Sequence, residues 1–208
     1  NLEPFEWEQL HAKIKEIEDA NIYIDDTPAL SIFDLRAKCR RLVAQNNVKI
    51  VIIDYLQLMT GKSNKFNREQ EISSISRSLK SIAKELDIPI IALSQLSRAV
   101  EMRGGDAKRP ILSDLRESGA IEQDADLVSF IYRPEYYGIE TWDTRPETSC
   151  EGQAEFNIAK HRNGPLEKIR LKFNPSLAKF SNINDNIFQN EFNSKMNQDE
   201  INQDNNPF

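Results

Sequence analysis

Cysteine and histidine are scarce in this chain, with two of each among 208 residues. Cys39 and Cys150 have neither paired nor metal-like spacing, which argues against a disulfide framework or a zinc site and fits a reducing cytoplasm. No apolar run approaches the roughly 20 residues that a membrane-spanning helix needs, and no segment reads as a signal peptide, so no membrane partner is expected. A phosphate-cradling Gly-x-x-x-x-Gly-Lys-Ser/Thr is also missing. Gly61-Lys62-Ser63 resembles its end, but it lacks the upstream glycine and a helix start to aim amides at phosphate. It reads as a flexible loop. There is no internal repeat. The chain opens on Asn1 and not on Met, and is expected to be a piece of a longer protein.

Net charge excludes little. The formal value is −6, but residues 181–208 hold five acids against one Lys, which leaves residues 1–180 near neutral. A near-neutral body can still present a basic stripe, so a nucleic-acid partner stays open. The same 28 residues carry nine Asn and three Gln. Such a composition buries too little apolar surface to offset its ordering entropy. Residues 1–180 are therefore expected to form one domain, and 181–208 a disordered acidic tail.

Between those limits the chain alternates helices and strands. Trp7, Leu10, Ile14 and Ile17 stripe a helix after Pro4. Ile22–Ile24 reads as a short strand, broken at Asp25-Asp26-Thr27-Pro28. Ser31 and Asp34 resemble a capping box for a helix striped by Ile32, Leu35, Cys39 and Leu42. The other face of that helix carries Arg36, Lys38, Arg40 and Arg41, most simply a solvated surface. Residues 60–68 form a polar loop, and Ile72, Ile75, Leu79, Ile82 and Leu86 mark a long helix ended by Asp87–Pro89. Asp126–Arg133 gives a further strand. Around Asn163-Gly164-Pro165, the segments Ala154–Lys160 and Glu167–Phe173 alternate as an antiparallel hairpin at the sheet edge. The predicted fold is α/β, a mostly parallel sheet flanked by helices.

Two strands end on polar residues. Ile50–Ile53 is β-branched throughout, as suits a strand buried on both faces, and it ends on Asp54. Pro89–Ala92 continues through Leu93-Ser94 to Gln95. If the strands are parallel, Asp54 and Gln95 share the carboxyl edge where α/β sheets bind ligands. A strand-end Asp can hold a nucleotide's magnesium, and Gln95 can meet a phosphate or an attacking water. A plain turn cap and a loop amide are the alternatives. Arg98, Arg103, Lys108, Arg109 and Arg116 crowd a loop-rich stretch that suits a phosphodiester backbone or a solvated surface. Lys160 and Arg162 lie at alternate positions near the hairpin tip, where a cation can reach a neighbouring subunit's phosphates. His161 between them is expected to face solvent.

In order, these segments resemble the C-terminal motor domain of DnaB-type hexameric replicative helicases, a RecA-like fold. The resemblance rests on Ile22–Pro28, Ile53-Asp54-Tyr55-Leu56-Gln57-Leu58-Met59, Ala92–Arg98, Ser113–Asp126 and Lys160–Pro165. It implies ATP and Mg2+ as cofactors, with Asp54 the magnesium-holding acid and Gln95 a sensor of the γ-phosphate. Lys160 and Arg162 would be fingers toward the adjacent subunit's ATP. Arg116, Glu117 and Gly119 would fall in a central-channel loop gripping single-stranded DNA, and 61–68 would resemble another channel loop. A homohexamer moving 5′ to 3′ in the cytoplasm is implied, with primase and a helicase loader as partners. The family's phosphate loop and catalytic glutamate have no counterpart among these 208 residues, and 134–152 looks longer than the family pattern. The competing reading is an inactive RecA-like scaffold or DNA-binding paralogue. Retention of Asp54, Gln95, Lys160 and Arg162 together speaks against it.

A phosphate cradle supplies most amide and lysine contacts to the β- and γ-phosphates. These 208 residues alone should therefore neither bind ATP tightly nor hydrolyse it. Calorimetry on the isolated chain should detect no micromolar binding, and a micromolar Kd would overturn the expectation.

Overall fold

A computed structural model describes residues 3–61, 68–104, 108–115, 119–143 and 146–184. The chain divides into two compact units, one of residues 1–128 with 159–165, the other of 129–158 with 166–208.

The first unit is built on α3 (Arg68–Leu86), whose predicted stripe is real. Ile72, Ile75, Leu79 and Ile82 are buried, and they pack with Ile32, Leu35 and Cys39 of α2 (Ile32–Asn46) and with Leu56 and Met59. Above them run β1 (Val51–Ile53) and β2 (Ile90–Ala92), parallel and paired Val51 to Ile90, Ile52 to Ile91 and Ile53 to Ala92. Val51, Ile53, Ile90 and Ala92 face the core. Helix α2 starts where expected, with the Ser31 hydroxyl oxygen accepting the Asp34 N–H at 3.2 Å, and ends on Asn47 at φ +54°. Its basic face is only partly solvated, because Arg36 and Arg40 both grip Glu85 of α3.

Two expectations for this unit need correction. The strands are buried on one face only: Ile52 is 64% exposed and Ile91 48%. β-Branching reports a strand, but what lies over each face is a tertiary matter. Residues 22–24 form no strand, and Ile24 is 89% exposed. A strand is held by its neighbour's backbone, and among the described residues this segment has none. The first helix forms as expected, as α1 (Pro4–Glu18), with Glu3 and Glu6 completing a capping box; Trp7, Leu10 and Ile17 of its stripe are exposed, as is Phe5 on the other side.

The sheet of the C-terminal half differs more. Strands β3 (Leu127–Tyr132), β4 (Gln153–His161), β5 (Glu167–Asn174) and β6 (Lys179–Asn182) form a separate four-stranded sheet in that order. Pairs β4–β5 and β5–β6 are antiparallel. The single mostly parallel sheet is thus not seen among the described residues, and the hairpin is the middle of its own sheet. Short turns return β5 beside β4 and β6 beside β5, which forces the antiparallel sense of those two pairs, whereas a parallel pair needs a crossover such as α3. The sequence reading missed β6, which runs into a polar segment whose residues beyond 184 lie outside the described set.

In the second unit, stretch 134–152 acquires a role. Trp142 is buried edge-on to Tyr132, centroids 6.2 Å apart, beneath the Arg170 guanidinium at 3.2 Å. Its indole N–H donates to Gln153 Oε1 at 3.0 Å. Cys150, fully buried, donates its thiol to the Ile139 carbonyl. The stretch supplies a small aromatic core that no helical or strand period announces.

Lys38 of α2 reaches back to the segment before that helix, donating to the Asp25 carboxylate at 2.6 Å and to the Thr27 hydroxyl at 2.8 Å. Thr27 gives Asp25 its own hydroxyl and N–H as well. The Lys38 ammonium, then Thr27, holds the Asp25 carboxyl down at about 2. A depressed folded value means that the contribution to stability is complete above the ordinary carboxylate range, near 4. It is lost as pH falls through about 2. Carboxyl-carbon NMR should place the Asp25 midpoint near 2, and Lys38→Met should move it up toward the ordinary value. A midpoint unmoved by Lys38→Met would remove Lys38 as the cause.

Candidate nucleotide site and DNA loop

Because β1 and β2 are parallel and in register, their carboxyl ends lie at one edge. Asp54 leaves β1 there, exposed, and Gln95 lies three residues beyond the end of β2, also exposed. The structure thus brings these two predicted residues to the same edge. The main-chain ladder continues past the strands: Leu93 N–H donates to the Ile53 carbonyl and Leu56 N–H to the Leu93 carbonyl, both at 2.9 Å. After Asp54 the chain turns into a 3-10 turn, Leu56–Leu58, and Gln57 reaches back. Its Oε1 accepts the Gln95 N–H at 3.2 Å, and its amide nitrogen donates to Ser94 Oγ at 3.0 Å.

One exposed carboxylate at a strand end suits a magnesium ion that takes its other oxygens from phosphates and water. No cluster of three or more His, Cys, Asp or Glu able to hold a metal by itself exists among the described residues.

Lys160 lies in the last step of alternation of β4 and Arg162 one residue past its end at His161, so the two fall on the same side. Both turn toward the carboxyl end of α4 (Gly119–Asp124), where helix carbonyls are left without intrahelical partners and carry partial negative charge. Lys160 Nζ donates to the Glu122 and Gln123 carbonyls, and Arg162 Nη2 to that of Gln123 at 3.3 Å. Arg162 also pairs with Asp126 at 3.1 Å and donates its N–H to the Asp126 carbonyl at 2.8 Å. Lys80 of α3 shares that carboxylate. The Lys80 ammonium, with Arg162 adding to it, holds Asp126 below the usual carboxylate range. His161 does not simply face solvent. It is half-buried, its ring lies against Gly164, where a Cβ would collide with it, and its Nδ1 is 3.3 Å from the Pro165 carbonyl oxygen.

Of the residues predicted for a DNA-gripping loop, Arg116 and Glu117 lie outside the described set, and Gly119 opens α4 with open space where a side chain would go. Just upstream, Asp114 is 2% exposed and binds Arg103, while also accepting the Ile111 N–H at 2.8 Å. Arg103, one of the crowded cations, is thereby committed to holding the loop base. A groove of about 450 Å³ in the second unit, between Gly152, Lys172 and Pro175, contains none of the predicted site residues.

Comparison with known proteins decides the family. Residues 1–182 match the model of the DnaB-like helicase C-terminal domain. The chain belongs to that family. It is 48% identical over 183 residues to the replicative DNA helicase DnaB of Geobacillus stearothermophilus, covering 88% of this chain and 38% of the relative. Against the replicative DNA helicase DnaC of Bacillus subtilis it is 48% identical over 184 residues, with the same coverage. Among solved structures, a DnaB-like replicative helicase studied with its interactions with primase superposes with a TM-score of 0.75 at 42% identity, over 88% of this chain and 42% of that one. A second solved structure, an ATPase domain, gives 0.74 at 43% identity, over 85% and 60%. The chain thus spans well under half the length of these two curated relatives.

Sequence reasoning gave no role to Gln57, Arg68 or Asp126. A polar residue inside the apolar run Tyr55–Met59 was the available signal for Gln57. Arg68 and Asp126 gave none, since a charge next to a loop is ordinary.

Proposed function

We propose that this chain is the C-terminal part of a RecA-like replicative helicase motor. The whole protein is a homohexameric ring that hydrolyses ATP between subunits, moves 5′ to 3′ along single-stranded DNA in the cytoplasm and separates the duplex. Primase and a helicase loader are its partners. The observation that carries this reading is the common edge of Asp54 and Gln95, fixed by the β1–β2 register, in a member of a helicase family.

Asp54 holds magnesium, which when bound neutralises phosphate charge. Gln95 contacts the γ-phosphate or the attacking water. Lys160 and Arg162 leave the α4 carbonyls to meet the adjacent subunit's ATP. Half-exposed contacts of this kind are weak, about 0–1 kcal/mol for an ion pair, so exchanging them for phosphate contacts is inexpensive. Arg116, Glu117 and Gly119 grip the DNA backbone.

In the intact protein, Arg162→Ala should lower DNA-stimulated ATPase by roughly 10³-fold or more, as for other arginine fingers, while nucleotide binding stays within a few-fold. Near-normal turnover would remove Arg162 from the site. Arg116→Ala should weaken binding to poly-pyrimidine and mixed-sequence strands by similar factors. It should also flatten the slope of log affinity against log salt by about 0.7 per lost phosphate contact. A loss confined to one sequence would indicate base readout, which a translocating grip does not use.

A further inference from the structure

Gln95 lies beyond the last paired residue of β2, where β1 offers it no main chain, because the chain turns away after Asp54. Its backbone is nevertheless held on both sides. Gln57 Oε1 accepts the Gln95 N–H at 3.2 Å, and Gln57 Nε2 lies 3.4 Å from the Gln95 carbonyl oxygen. A primary amide carries one acceptor and donors on a single planar group, so it presents what a neighbouring strand's peptide would present. The side chain therefore adds one more rung to the ladder that runs through Leu93 and Leu56. The amide's orientation is fixed by chemistry, since a backbone N–H can only donate and must face oxygen.

Gln57 is itself anchored. Arg68, the first residue of α3, donates to the Gln57 carbonyl at 2.6 Å and pairs with Glu71. Glu71 also accepts the Gly61 N–H at 2.7 Å. Gly61 allows that approach, because a Cβ there would come within 2.8 Å of Glu71 Cγ. The Gly61 amide, then Arg68, holds the Glu71 carboxyl below its usual range, so it stays charged for the contact.

We propose that Gln57 is a positioning residue for Gln95, fixing the sensor's backbone at the Asp54 edge, with Arg68 as the anchor that keeps Gln57 in place. This rests on the reading of Gln95 as the γ-phosphate contact. Gln57 does not touch the nucleotide; it acts by removing the freedom of the residue that does. Misplacing a catalytic contact by about 1 Å costs roughly 10²-fold in rate.

The test uses the intact helicase with Gln57→Ala, Gln57→Glu, Arg68→Ala and Gln95→Ala, following steady-state ATPase on single-stranded DNA and hydrogen exchange of the peptide spanning 93–98. Gln57→Ala should lower kcat roughly 10–100-fold with the KM for ATP within about twofold. The Gln95 amide should exchange up to about tenfold faster, the equivalent of one net hydrogen bond. Gln57→Glu keeps an acceptor for the Gln95 N–H and should restore most of the protection and part of the turnover. Arg68→Ala should shift both readouts the same way by less. If Gln95→Ala abolishes turnover while Gln57→Ala leaves kcat and exchange unchanged, the positioning role is wrong and the sensor reading stands. If Gln95→Ala turns over normally, the sensor reading fails and the proposal falls with it. Equal losses in Gln57→Ala and Gln57→Glu, with unchanged exchange, would also overturn it.

Discussion

The packing of the α3 stripe beneath β1 and β2 is the contact on which the remaining arrangement depends. Ile72, Ile75 and Ile82 are essentially inaccessible, and each such side chain contributes about 1.5–3 kcal/mol by leaving water. That burial selects which residues of the two strands point down. A slip of one residue would bring Ile52 or Ile91 onto the helix and turn Val51 or Ile90 away. The register follows from the helix, and the shared edge of Asp54 and Gln95 follows from the register. The amino end of the same helix supplies Arg68, and its middle supplies Lys80, which reaches Asp126.

The charged side chains fall into two groups. Arg103 with the buried Asp114 fixes a loop base and is costly to disturb, since removing one partner strands the other. Arg162 and Lys160, by contrast, rest on helix carbonyls and on a carboxylate that stays half-exposed, where water and salt screen the attraction. The first arrangement suits scaffolding. The second leaves its cations easier to displace.

Ile52 of β1 and Ile91 of β2 are exposed on one face, with the flanking Ile50 and Leu93, and α1 presents Phe5, Trp7 and Ile17. Fully buried parallel strands are covered on both faces. Apolar strands of this composition are legible in sequence as strands, but their cover is not.

The sequence by itself determined the local elements whose signal is periodic or stereochemical: the α3 stripe, the Ser31 cap, the β4–β5 alternation and the polar ends of two strands. It also carried the helicase-family motifs around Asp54, Gln95, Lys160 and Arg162, because such motifs are read in order along the chain. Tertiary structure alone decided that Ile22–Ile24 stays unpaired, that the hairpin lies in the middle of an antiparallel sheet, and that Trp142 and Cys150 make a second small core. It alone decided, too, that Gln57 completes a ladder for Gln95 and that Arg162 shares Asp126 with Lys80. Each of these depends on which groups meet across tens of residues, and neither helical nor strand periodicity records who the neighbour is.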